Sequence, residues 1–273
     1  MSSDLDLSAN VERFTGYADC YDAYRPKPSV ILGEILARLA QVERPGLVVD
    51  LGSGTGLSTT YWAGRAEAVV GIEPNSDMRR QAEARAGALG ARGKVRYQAG
   101  LSTATGLPDG CADIVTCSQS LHWMDPEPTF AEVARILRPG GVFAAYDCDW
   151  PPTVHWEAEA AYQETIRRAQ AIGQERGFFA GVRRWEKKEH LARLHGSNRL
   201  RSVKEILVHS IEAGNAERLV GLCRSQGSVA TLLKQGVTEE EIGLDALKRV
   251  AERTLGDGPV PWYWSYRVRV ALR

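Results

Sequence analysis

No apolar run in this 273-residue chain approaches the length of a membrane span. No basic-then-apolar stretch opens it, so a targeting leader is not expected. Charge is balanced, with 34 basic and 34 acidic residues. Bulk electrostatics therefore gives no reason to expect nucleic-acid binding. Cysteine is sparse: Cys20, Cys111, Cys117, Cys148 and Cys223 are odd in number and never spaced Cys-x-x-Cys. That excludes a disulfide framework or a zinc cage by spacing and favours a reducing, cytoplasmic setting. Internal repeats and low-complexity tracts are missing, and no Gly-Lys-Ser/Thr triplet ends a phosphate loop.

What is present centres on Val48-Val49-Asp50-Leu51-Gly52-Ser53-Gly54-Thr55-Gly56. Two β-branched residues run into an acid, and alternating glycines follow. This predicts a buried parallel strand and a tight turn that opens a helix. Without Cβ atoms, the turn lets a ligand lie against the backbone. The dinucleotide pattern Gly-x-Gly-x-x-Gly/Ala is not met: the third position is Leu57 from Gly52, or Thr59 from Gly54. Asp50 ahead of the glycines would repel a pyrophosphate and suits a cation. About 20 residues on, Val69-Val70-Gly71-Ile72-Glu73-Pro74 predicts a second strand ending in an acid, where doubly wound folds hold a ribose. A carboxylate there accepts two hydrogen bonds from a vicinal diol.

Along the chain, Met1 to Asn10 reads as a frayed polar start. Tyr17, Tyr21 and Tyr24 recur at helical spacing before Arg25-Pro26. Ile31, Leu32, Ile35, Leu36, Leu39 and Val42 form an apolar helical stripe after Pro28. Leu57 to Gly64 starts the next helix, and Ser76 is the expected N-cap of the one after Glu73. Lys94 to Gln98 is a third strand, and Leu107 to Cys117 gives a turn and a fourth strand. The fourth runs into Ser118-Gln119-Ser120-Leu121-His122-Trp123-Met124-Asp125. Ligands bind beyond the carboxyl ends of such strands, which places this loop in the expected site. An amphipathic helix, Phe130 to Leu137, stops at Arg138-Pro139-Gly140-Gly141, and Val142 to Tyr146 is the fifth strand. Trp150 to Arg199 then reads as helical, Ser202 to Ile211 as a strand, and Ala216 to Leu255 as mainly helical. Tyr263 to Leu272 alternates like the edge strand of a final hairpin. Arg183, Arg184, Lys187 and Lys188 read as a solvated helix face.

The nonapeptide around Asp50 resembles motif I of class I S-adenosylmethionine (SAM)-dependent methyltransferases. With Glu73, the Arg-Pro-Gly-Gly turn and the His-Trp after strand four, residues 47–147 resemble the type-11 methyltransferase domain, especially its trans-aconitate methyltransferase-like branch. The likeness implies a doubly wound, Rossmann-like α/β sheet, mostly parallel with an antiparallel last strand, plus a helical cap. It divides the chain into a lid segment (1–28), a SAM-binding core (29–149), a helical cap (150–201) and the rest of the core (202–273).

The resemblance also implies roles. SAM would be held by Arg25, Asp50, Gly52, Ser53, Gly54, Glu73, Pro74, Met78, Ala99, Gly100, Leu101, Ser118 and Gln119, with Arg25 on its methionine carboxylate. His122 is the candidate general base or positioning residue because it titrates near neutrality, and Tyr24 is its candidate partner. Tyr17, Tyr21, Trp123 and Trp150 would line the acceptor pocket. The expected acceptor is a small aromatic molecule of indole type, methylated on carbon or nitrogen, as in some bacterial natural-product enzymes. Alternatives are a carboxylic acid bound by Arg183 or Arg184, a nucleic-acid base, or a non-catalytic SAM-binding module. Asn/Asp-Pro-Pro-Tyr/Phe, the base methylators' motif, is replaced here by Ser-Gln-Ser-Leu. No metal is expected. His122, Asp147, Asp149, His155 and Glu157 offer donors, but metal-dependent relatives place an aspartate after strand four. No membrane or nucleic-acid partner is expected, and the oligomeric state is monomer or homodimer.

Overall fold

The computed structural model describes residues 6–13, 15 and 23–273. The short helix α1 (Ser8–Glu12) lies first, then α2 (Val30–Leu39). Strands β1 (Leu47–Leu51), β2 (Ala68–Ile72), β3 (Val95–Gln98), β4 (Ala112–Ser118) and β5 (Leu137–Cys148) pair in parallel. The full sheet adds β6 (Arg201–Gly214) and β7 (Val260–Leu272) in the order β3-β2-β1-β4-β5-β7-β6. This is the doubly wound, mostly parallel sheet expected. Helix α3 (Leu57–Tyr61) follows β1, α4 (Ser76–Ala88) follows β2, and α5 (Pro126–Ile136) precedes β5.

Period-two alternation separates two cores. Val48, Val69, Ile114 and Ala144 join Leu32 and Leu36 on one face. Val49, Val70, Val115 and Ala145 join Phe130, Val133 and Ile136 on the other. Each strand residue therefore buries its apolar surface against a helix layer, as a two-sided parallel sheet requires.

β7 is a correction. It lies between β5 and β6, antiparallel to both, and β6 forms the sheet edge. Trp262, Trp264, Tyr266, Val268 and Val270 are buried, and so is Arg269. Arg269 survives burial by pairing with Asp147 at 2.9 Å and Glu205 at 2.7 Å.

Local readings change too. Asn75, not Ser76, caps α4, its Oδ1 accepting from the Asp77 and Met78 amides. Helix α5 begins at Pro126, four residues before the expected start, with proline where a helix lacks a donor partner anyway. The Arg-Pro-Gly-Gly segment sits inside β5 as an irregularity: Leu137 pairs with Ala112, and pairing resumes at Val142 with Ile114. Arg183, Arg184 and Lys187 are not on a helix face: the first two lie in a loop, and Lys187 opens a short 3-10 turn.

Helix α6 (Trp156–Glu175) packs against α8 (Ala216–Arg224), α9 (Gly227–Lys234) and α11 (Leu244–Leu255); α7 is His190–Gly196 and α10 is Glu239–Ile242. Tyr162, buried in that layer, accepts a 2.8 Å hydrogen bond from Gln226. No described helix is long and apolar enough to cross a membrane.

Candidate active site

A cavity of about 650 Å³ opens at the carboxyl ends of β1, β2, β4 and β5. This is the volume range of small-molecule sites. One end is built by the glycine turn. Gly52, Gly54 and Gly56 all take positive φ, at 63°, 53° and 80°. An L side chain is strained in that region. A Cβ on Gly52 would also meet the Met124 side chain at 2.7 Å, whereas one on Gly54 would meet no atom within 4 Å. Gly54 therefore leaves open space beside its backbone.

Glu73 faces that turn. Its carboxylate accepts from the Gly54 amide and from the Asn75 amide, each at 2.9 Å. Burial pushes its pKa up, while these two amides pull it down. Asp50 accepts from Thr59 at 2.7 Å and Thr116 at 2.8 Å. Complete burial pushes its carboxyl up to about 6 despite those bonds. Ser53, Pro74, Met78, Gly100 and Leu101 complete this end; Ala99 is not among the lining residues.

The other end is aromatic. Tyr146, Trp150 and Tyr266 line it, with Arg25. The Arg25 guanidinium lies 4.9 Å from the Trp150 ring centroid and donates to the Ser225 carbonyl. The Tyr146 hydroxyl meets Ser58 Oγ at 2.5 Å. Tyr266 donates to the Lys27 carbonyl at 2.6 Å. Ser118, Gln119 and Trp123 form the wall after β4. Gln119, at φ 55°, is held through its side-chain amide: Lys187 donates to it at 2.9 Å, and it donates to Cys148 Sγ at 2.7 Å.

The two expected catalytic side chains are not brought together at the cavity. His122 is 5% exposed and stands behind the wall, its ring 4.6 Å from that of Trp123. Its Nδ1 is 3.7 Å from Asp147 Oδ1. Burial, then Lys187, Arg184, His190 and Arg13, hold its pKa well below the ordinary value, so the ring is neutral. The Tyr24 ring instead crowds Gly221 on α8, where a Cβ would come within 2.5 Å of it. Neither residue lines the cavity. Tyr17 and Tyr21 lie outside the described residues. Among the described residues, no group of three or more His, Cys, Asp or Glu converges as a metal site would require.

Several lining residues have little or no sequence signal. Leu7, Ser8, Asn10 and Val11 roof the cavity, although Met1 to Asn10 reads as a frayed start. Ser58 sits in the first turn of α3, where the glycine motif could have pointed to it. Tyr146 and Tyr266 occupy ordinary inward strand positions.

The sheet order, the glycine turn after β1 and the acid after β2 define a Rossmann-like α/β fold. Residues 49–145 match the family described as Methyltransferase domain. An uncharacterized methyltransferase of Mycobacterium bovis is 39% identical over 99 residues, 34% of this chain and 36% of that protein. The malonyl-[acyl-carrier protein] O-methyltransferase of Pectobacterium atrosepticum is 29% identical over 145 residues, 53% of this chain and 54% of that one. The matches thus span between about a third and a half of these relatives' lengths. A solved structure of a candidate type II methyltransferase from Anaeromyxobacter dehalogenans shares the fold at TM-score 0.65 and 22% identity, covering 92% of this chain and 97% of that one.

Proposed function

We propose that the protein transfers the methyl group of SAM to a small aromatic acceptor of indole type. The observation that carries this reading is one continuous cavity with a carboxylate-and-glycine end and an aromatic end. The residues present fit the cofactor. Glu73 keeps lone pairs beyond the two it commits to backbone amides. Ser53 Oγ is buried without a partner among the described residues, and Gly54 leaves room for a ligand at its backbone. When bound, SAM supplies an electrophilic methyl on a cationic sulfur.

The chain's residues then align and shield. Glu73 binds the ribose hydroxyls, and Asp50 contributes negative charge near the cation. Trp150, Tyr146 and Tyr266 hold a flat acceptor and keep water away. Alignment of this kind supplies roughly 7–11 kcal/mol of a transfer barrier. In this reading His122 is a positioning residue: neutral and packed behind Trp123, it fixes that wall. Arg13 and Arg184 support a second reading, because they lie 4.3 and 5.6 Å from the Trp123 ring centroid and would suit a carboxylated acceptor.

The test is transfer of label from SAM to a panel of indoles, phenols, amines and tricarboxylic acids. Incorporation into indoles is expected. Turnover on tricarboxylic acids alone selects the carboxylate reading, and no SAM binding at all removes both.

The pH dependence of cofactor binding follows from Asp50. Its carboxyl titrates at about 6, so it is mostly ionised at pH 7 and neutral well below 6. SAM affinity is expected to fall as pH drops through about 6. Asp50→Asn should weaken binding at pH 7 and shrink that fall. Glu73, also raised by burial, accounts for what remains. Calorimetry between pH 5 and 8 checks this, and an unshifted profile in Asp50→Asn contradicts it.

A further inference from the structure

We infer that Asn75 and Asn10 are positioning residues that latch helix α1 over the cavity, Asn75 from the cofactor end and Asn10 from the acceptor wall. The inference rests on the methyl-transfer reading. Asn75 is 5% exposed and engages three separate groups. Its amide N–H donates to Glu73 Oε1 at 2.9 Å. Its side-chain oxygen accepts from Asp77 and Met78, which caps α4. Its side-chain nitrogen donates to the Val11 carbonyl and to Thr15 Oγ1, each at 3.0 Å. One residue thus joins the ribose acid, the start of α4 and the roof.

Asn10, 4% exposed, holds the opposite side. Its side-chain nitrogen donates to the Trp123 carbonyl at 3.1 Å and the Arg183 carbonyl at 2.8 Å. Its oxygen accepts from the Arg183 amide at 2.9 Å. The roof helix therefore touches the wall after β4 and the loop before residue 187 through one side chain. Trp185 extends this seam, its amide donating to the His122 carbonyl at 2.9 Å. A five-residue helix does not hold itself in place in water. Its buried ties to the α4 cap and to the wall at Trp123 are these two carboxamides, while Lys234, donating to the Thr15 carbonyl at 2.6 Å, and Arg13, 4.3 Å from the Trp123 ring centroid, add to the hold from the outside. Because Asn75 also fixes Glu73, the group that meets the ribose and the group that closes the roof are one hydrogen-bonded unit.

The substitution Asn75→Ser separates latch from cap. Serine caps a helix about as well as asparagine, adds no charge, and is too short to reach Val11. The experiment uses S-adenosylhomocysteine as probe, with release followed by stopped-flow tryptophan fluorescence. Asn75→Ser is expected to speed release about tenfold. Amides of residues 8–13 should exchange hydrogen faster in the loaded variant, while those of α4 keep their protection. Unchanged release, or exchange rising equally in α4, overturns the latch. Should Asn75→Ser fail to fold, Asn10→Ser carries the same test, since Asn10 caps no helix; unchanged release there also overturns it. Failure of the unmodified protein to bind the probe would instead overturn the methyl-transfer reading.

Discussion

Glu73→Ala is expected to reduce SAM affinity by about 10- to 150-fold. A hydrogen bond to a charged group contributes about 1.5–3 kcal/mol, and this carboxylate is the one the proposed function assigns to the ribose. The structure adds a second loss. The Gly54 and Asn75 amides each donate to Glu73, so removing it strands two donors beside the cavity. Stability should fall by about 1–3 kcal/mol for each donor that water cannot reach. Glu73→Gln loses the charge and one of the two acceptors, because its single amide oxygen can accept from only one of the two N–H groups and its NH2 faces the other, so its stability should lie between those of the unmodified protein and Glu73→Ala. Calorimetry with SAM and a denaturant series on both variants provide the check. Undiminished affinity in a folded Glu73→Ala protein would remove Glu73 from the cofactor site.

Arg269→Met should cost about 3 kcal/mol of stability, toward the lower end of what losing one partner of a buried ion pair costs. Arg269 is 3% exposed and joins Asp147 of β5 to Glu205 of β6 across β7. The cost stays at the lower end because Lys187 remains 2.7 Å from Asp147. Urea unfolding should show a lower midpoint with an unchanged slope. The double variant Arg269→Met/Asp147→Leu should recover part of the loss, because no carboxylate then stays buried beside an apolar neighbour. An unmoved midpoint in Arg269→Met would show that the sheet does not depend on this tie.

Arg269 also marks where sequence reading stops. Its neighbours Val268 and Val270 gave the alternation, and a charged residue at the intervening position reads as solvent-facing. Only the three-dimensional order, with β6 outside β7, covers it and supplies acids on both flanks. The first two strands were legible because each is a short apolar run leading into a glycine turn or an acid. Val48–Gly56 and Val69–Glu73 carry their chemistry locally, and the cavity's carboxylate-and-glycine end is built from them. The aromatic end is not local. Tyr146 and Trp150 lie at the end of β5, but Tyr266 comes from distant β7, and the roof comes from Leu7, Ser8, Asn10 and Val11. Asn10 has no flanking pattern that marks it, since its three partners are backbone groups of residues 123 and 183. His122 is the converse case: position after β4 and chemistry both marked it as a base or positioning residue, and the chain turns its ring inward behind Trp123.

The place of β7 bears on how the molecule is made. β5 ends at Cys148, and the strand that pairs with its free edge starts at Val260. A ribosome adding roughly 5–20 residues per second needs about 6–22 s to cover that interval. During it, β1 to β5 can assemble while β5 presents an unpaired row of amides and carbonyls flanked by Val142, Ala144 and Tyr146. Such an edge is a template for another nascent chain. The yield of folded protein should therefore depend on translation speed between residues 149 and 259, and on chaperones that shield a strand edge, more than on the stability of the finished sheet.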